Sequence, residues 1–140
     1  MIYLDTSLLV ALLCREPRSI ELLDWFATYE KHGFSVSHWN NVEFSSALSI
    51  KIRTGQISET QASMAQAELT TLLNNSFNVL PITELDYAKA SEFSGVWKLG
   101  LRAPDALHLA IAQRFGVSFA TLDRQQFLSA QHFGIPALIP

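Results

Sequence analysis

Short apolar runs alternate with helix-period segments along the chain, and Gly, Pro and capping residues mark the joints. Met1 to Leu4 predicts a short strand. Asp5, Thr6 and Ser7 are cap residues, and the continuous run Leu8 to Leu13 predicts a buried helix. A second helix is expected from about Pro17, with Ile20, Leu23, Trp25, Phe26 and Tyr29 on a wide apolar face and Gly33 at its end. Phe34 to Ser37 reads as a strand, and Asn40 or Asn41 as the cap of a helix that presents Val42, Phe44, Ala47 and Leu48 and stops at Gly55. Ser58 with Gln61 forms a capping-box pattern that opens a long helix to about Asn74. Phe77 to Ile82 predicts an edge strand, because Pro81 cannot donate to a central ladder. Thr83 caps a helix expected to run to Gly100, and Pro104 opens another that Gly116 closes. Val117 to Thr121 predicts a strand, Asp123 caps a short helix, and Ile135 to Ile139 is a last strand.

Strands separated by helices imply right-handed crossovers and a mostly parallel sheet flanked by helices, so a ligand should bind beyond the carboxyl ends of the strands. One α/β domain over residues 1–140 is expected, and a chain of this length buries about two-thirds of its unfolded surface. The 49% hydrophobic share excludes a disordered chain, and a net charge of −3 excludes a basic, non-specific nucleic-acid coat. Charged residues make up 16%, against about 25% in ordinary soluble domains, which points to a surface partly covered by a partner or a second copy. The lone Cys14 cannot form an internal disulfide and reads as a small buried residue in a reducing cytoplasm. No run of ~18 apolar residues exists to span a membrane, and Asp5 interrupts the apolar N-terminus that could suggest a signal peptide.

Placing the 13 acids on these elements separates four from the rest. Asp5 and Asp123 follow the carboxyl ends of two strands; Glu43 and Asp105 are expected in the first turns of helices that begin at the same edge. Each is also an ordinary helix-start residue, as cap or dipole partner. Four carboxylates gathered without a cation would repel one another, so their joint placement points to a hard divalent ion, Mg²⁺ or Mn²⁺. No Cys pair or His spacing suits zinc. Such a site lowers the pKa of a bound water and clamps the oxygens of an in-line phosphoryl displacement, the chemistry of a metal-dependent phosphodiesterase. Asp5 and Asp105 are the expected principal ligands, with Glu43 and Asp123 serving a second ion or holding its water. Glu59, Glu84 and Asp86 suit helix dipoles, and Asp24, Glu30, Glu68 and Glu92 solvated helix faces.

Tyr3-Leu4-Asp5-Thr6-Ser7-Leu8-Leu9-Val10-Ala11-Leu12 resembles the opening of PIN-domain nucleases, specifically the VapC-type toxins of bacterial toxin-antitoxin pairs. Val42 to Leu48, Pro104 to Ala110 and Thr121-Leu122-Asp123 resemble the family's second, third and fourth acidic motifs, in order and over nearly the whole chain. The resemblance implies a three-layer PIN fold, Mg²⁺ or Mn²⁺ dependence, endonucleolytic cleavage of RNA, a homodimer, and a small antitoxin that occludes the site. The rival reading is a catalytically idle PIN-like module that binds RNA or a protein. Two enzyme families fit poorly: Asp5-Thr6-Ser7 lacks the second acid of haloacid-dehalogenase-like phosphatases, and receiver domains need a lysine beyond Lys98, where none occurs.

Ser7 and Thr121 could orient the carboxylates through their hydroxyls, or simply cap and close a strand end. Arg102 and Arg124 flank two of the acids and are candidates for RNA phosphate contacts. Arg114 sits at a helix C-terminus, where the dipole accounts for it. His108, one turn after Asp105, could reach substrate or be a packed or interface histidine, and Trp25, Trp39 and Trp97 could stack on bases or serve as core or interface aromatics, with packing the expected role in each case.

Overall fold

A computed structural model describes residues 1–140. Its five strands are β1 (Ile2–Leu4), β2 (Phe34–Ser37), β3 (Asn78–Leu80), β4 (Ser118–Ala120) and β5 (Ala137–Leu138). The helices are α1 (Thr6–Leu13), α2 (Ser19–Tyr29), α3 (His38–Arg53), α4 (Glu59–Asn75), α5 (Glu84–Ser94), α6 (Ala103–Phe115) and α7 (Arg124–His132). All strand pairings are parallel, in the order β3-β2-β1-β4-β5. The first strand is therefore the central one, and the Pro81-flanked β3 lies at an edge, as expected for a strand that ends in a non-donor.

Alternation along β1 divides the core into two layers. Ile2 and Leu4 join Leu8, Leu9, Phe44, Leu48 and Leu69 of the α1–α4 side. Tyr3 faces the other way, with Phe93, Leu109, Ile111 and Phe119 on the α5–α7 side. The result is the three-layer arrangement expected of the sequence. Trp25 packs among Phe26, Tyr29 and Phe34 as a core aromatic.

Several boundaries differ from those the pattern predicts: the strands after β2 are each shorter by a residue or more at both ends, and three helices begin or end elsewhere. The helix expected to be capped by Asn40 or Asn41 instead begins at His38, because Ser37 and Asn40 close a capping box around its first turn. Glu43 thus falls in the second turn of α3, not the first. Helix α2 starts at Ser19 and gives way to a 3-10 turn over Glu30–His32 before Gly33, at φ +68°, redirects the chain into β2. Helix α5 ends at Ser94; a 3-10 turn at Trp97–Leu99 intervenes before Gly100, at φ +59°. Trp97 is 80% exposed on that turn, with Lys98 Nζ over its ring, so it is no core residue. Cys14 is half-buried at the end of α1 rather than enclosed.

These elements aim three chain segments at one edge. β1, β2 and β4 are neighbours, so Asp5, the start of α3 and the Thr121–Asp123 turn all emerge from adjacent carboxyl ends. Helix α6 leads through Gly116 directly into β4 and so runs against it, which returns its N-terminal turn, with Asp105, to the same edge.

Candidate metal centre

A cavity of about 730 Å³ opens at that edge, and Asp5, Glu43, Asp105 and Asp123 all line it. The tightest group is Asp5, Glu43 and His108, whose ligand-type atoms lie within 4.8 Å of one another. Asp105 and Asp123 complete the wall from α6 and from the turn before α7.

Each of the four carboxylates divides its work between its two oxygens. Asp5 caps α1: its Oδ2 accepts from Ser7 N–H at 3.1 Å, from Ser7 Oγ, and from Thr121 Oγ1 at 3.1 Å. Asp123 caps α7, its Oδ1 accepting from the N–H groups of Gln125 at 2.7 Å and Gln126 at 3.1 Å. Glu43 Oε2 accepts from Thr6 Oγ1 at 2.6 Å and from His108 Nε2. Asp105 Oδ2 takes Arg102 Nε at 3.2 Å. Asp5 Oδ1, Glu43 Oε1, Asp105 Oδ1 and Asp123 Oδ2 have no hydrogen-bond donor from the protein; the nearest cationic-type atom to Asp5 Oδ1 is His108 Nε2, at 3.7 Å. Capping and ligation are therefore compatible in one residue, because each uses a different oxygen.

Local positive charge is too small for this density of acid. Asp105 titrates above the ordinary carboxylate range, chiefly because it is buried; Arg102 opposes that and the neighbouring Asp5 charge adds to it. Burial also pushes Glu43 upward, but the bonds from His108 and Thr6 and the charges of His108 and Arg102 prevail and hold it low. For His108, burial favours the neutral ring, and the bond to Glu43 with the charges of Asp5, Glu43 and Asp105 outweighs it, so its pKa is raised. An oxygen-rich, electron-rich pocket of this kind suits a hard divalent cation.

Ser7 and Thr121 both reach Asp5, and each also serves the adjacent turn: Ser7 Oγ accepts from Leu122 N–H at 3.1 Å, and Thr121 Oγ1 from Asp123 N–H at 2.9 Å. Arg102 lines the cavity with its side chain 76% exposed. Arg124 is exposed at the first position of α7 and is not part of the cavity wall, so the two arginines differ in placement. His108 is fully buried, in keeping with a packed histidine, and the half-buried Trp39 packs against the α5–α7 core layer while also lining the cavity.

Three contributors escaped the sequence reading. Thr6 holds Glu43; Asn40, fully buried, donates to Leu4 O at 2.9 Å and to Thr6 Oγ1 at 3.2 Å; Tyr3 Oη lies 2.9 Å from His108 Nδ1. The signal available for Asn40 was the Ser37-x-x-Asn40 spacing of a capping box, obscured by a second Asn beside it.

A model of the PIN domain family matches residues 2–131. Over 145 residues the chain is 30% identical to Ribonuclease VapC47 of Mycobacterium tuberculosis, covering 100% of this chain and 97% of that relative. Two solved structures share the fold. FitAcB from Neisseria gonorrhoeae superposes with a TM-score of 0.70 at 15% identity, over 99% of this chain and 96% of its own. VapBC2 from Rickettsia felis, bound to a DNA fragment from the VapBC2 promoter, does so with a TM-score of 0.74 at 14% identity, over 100% and 99%. The chain belongs to the PIN-domain family and, within it, to the relatives of VapC.

Proposed function

We propose that the protein is a Mg²⁺- or Mn²⁺-dependent endoribonuclease, the toxin of a VapBC-type toxin-antitoxin module. The observation that carries this reading is that Asp5, Glu43, Asp105 and Asp123 line one cavity, each with an oxygen that no protein donor uses, whereas Glu16, a fifth acid on the wall, is paired with Lys51. The name of the 30%-identical relative supports ribonuclease activity.

Asp5 and Asp105 would hold the cation, with Glu43 and Asp123 contributing further oxygens. When bound, a divalent ion supplies Lewis acidity to the phosphodiester and an activated water for in-line attack. The protein's own residues prepare the site around that chemistry. Ser7 and Thr121 fix the carboxylate plane of Asp5, Thr6 and His108 fix Glu43, and Arg102 reaches along the cavity rim to an RNA phosphate, which positions the strand without reading its sequence. A cognate antitoxin protein covering the site and a homodimer would account for the charge-poor surface. No helix is long and apolar enough to cross a membrane, and a cytoplasmic site of action agrees with that.

The test is incubation of purified protein with structured RNAs and Mg²⁺ or Mn²⁺, alongside EDTA and an Asp5→Asn variant. Cleavage at limited sites, abolished by EDTA and by the substitution in a folded protein, is the expected result. Cleavage that persists in folded Asp5→Asn would overturn the metal assignment, and no cleavage of any RNA would favour an idle binding module.

A further inference from the structure

We propose that His108 is a positioning residue: locked by Tyr3, it keeps a hydrogen-bond donor on Glu43 Oε2 and so leaves Oε1 as the oxygen offered to a cation. The proposal rests on the metal-site reading above and assigns a role to a buried group that the reaction itself does not touch.

Tyr3 sits in the central strand with no exposure, and His108 is equally closed to solvent and RNA. Tyr3 Oη lies 2.9 Å from His108 Nδ1 and 2.7 Å from Ser37 Oγ, while Asn40 Oδ1, a further neighbour at 3.2 Å, already accepts from Ser37 N–H at 2.8 Å. One assignment of hydrogens serves the contacts that link Ser37, Tyr3, His108 and Glu43, and leaves Asn40 Oδ1 to the Ser37 N–H. Ser37 Oγ–H donates to Tyr3 Oη, Tyr3 Oη–H to His108 Nδ1, and His108 Nε2–H to Glu43 Oε2. In a neutral imidazole the Glu43 carboxylate, an acceptor only, calls for the hydrogen on Nε2, and the Tyr3 hydroxyl supports that tautomer by donating to Nδ1. In a doubly protonated ring Nε2 donates as well, with Tyr3 accepting from Nδ1, so Glu43 meets a donor in either state.

The same oxygen takes Thr6 Oγ1–H at 2.6 Å, and Thr6 Oγ1 accepts in turn from Asn40 Nδ2 at 3.2 Å. Two donors from α1 and α6 therefore fix one oxygen of a side chain carried on α3, a long carboxylate that would otherwise sample several rotamers. A histidine needed only to fill space would not require a buried tyrosine hydroxyl to satisfy its far nitrogen. An apolar residue would fill the space without burying two polar groups.

The test compares His108→Leu, His108→Gln and Tyr3→Phe with the parent protein. Calorimetric titration with MnCl₂ in the absence of RNA is the first readout; RNA cleavage is the second, and circular dichroism with a thermal melt verifies folding. Gln can place an amide N–H near the position of Nε2, whereas Leu cannot. Mn²⁺ affinity should fall about 10- to 100-fold in His108→Leu, recover most of that in His108→Gln, and fall by less in Tyr3→Phe. Parent-like Mn²⁺ affinity in folded His108→Leu, or Gln no better than Leu, overturns the proposal. If His108→Leu does not fold, parent-like affinity in Tyr3→Phe overturns the lock. Mn²⁺ affinities in the expected order without any RNA cleavage would leave the positioning role standing and remove the nuclease reading. Cleavage by the parent with His108→Leu unchanged in both readouts would do the reverse.

Discussion

Asp86→Asn probes the joint that holds α6, the helix carrying Asp105 and His108, against α5. Asp86 is 1% exposed and closes the capping box of α5 by accepting from Thr83 N–H at 2.7 Å. It also receives the fork of Arg114, Nε at 2.6 Å and a terminal nitrogen at 2.9 Å, and the same guanidinium reaches Pro81 O at 2.6 Å. The Asp86–Arg114 pair thus joins α5 to α6, and its arginine also holds the Pro81 carbonyl just beyond β3. Breaking a buried ion pair from one side costs about 3–5 kcal/mol. The Arg114 side chain is 28% exposed and can partly rehydrate, so we expect ~2–3 kcal/mol for Asp86→Asn, or a fall in Tm of roughly 5–10 °C. Urea and thermal unfolding followed by circular dichroism measure this directly. Burial would raise the Asp86 pKa, but the bonds from Arg114 and Thr83 hold it below the usual carboxylate range. Its stabilisation is therefore complete above the unfolded pKa of about 4 and lost as pH falls through the lower folded value. The gap between parent and variant should narrow in strong acid. A loss below ~0.5 kcal/mol at neutral pH, the ordinary effect of a surface change, or a gap that widens in acid would mean that Asp86 does not hold the two helices together.

Asp123→Asn separates capping from ligation, since Asn caps as well as Asp: Tm should change by no more than ~1 °C while Mn²⁺ affinity and RNA cleavage fall. A lowered Tm with intact cleavage would reduce Asp123 to a cap. Arg102→Ala should leave stability within ~0.5 kcal/mol, raise KM for RNA, and lower the salt dependence of binding by about 0.7 in log–log slope, the value for one single-strand phosphate contact. An unchanged KM and slope would remove Arg102 from the substrate path. Leu109→Ala, at a position with no exposure on the α6 face against the sheet, should cost about 2–5 kcal/mol in urea unfolding, and a smaller loss would mean the core there collapses readily.

The four acids were legible in the sequence because their chemistry is declared by local context: each stands at a strand end or near a helix start, and parallel connection carries those positions to one edge. What holds them was not. Tyr3 and His108 are 105 residues apart, and His108 sits in a run of apolar helix residues with nothing nearby to mark a partner. Arg114 looked like dipole compensation because its carboxylate lies 28 residues earlier, on a different helix. Glu43 was expected one turn too early, since the polar run His38 to Asn41 offers several caps and only the closed box around Ser37 selects one. Periodicity reports which face a residue occupies, whereas long-range hydrogen bonds depend on how faces meet.

In this site Asp5, Glu43, Asp105 and Asp123 offer a divalent cation the oxygens that their hydrogen bonds to the protein leave free. The most direct measurement is the anomalous difference map of a crystal soaked in MnCl₂. A Mn²⁺ peak in the cavity, contacting Asp5 Oδ1 and at least one of Glu43 Oε1, Asp105 Oδ1 and Asp123 Oδ2, is the predicted result. A saturating soak that leaves the cavity without a peak, or a peak held by the capping oxygens after the helix starts have come apart, would contradict it.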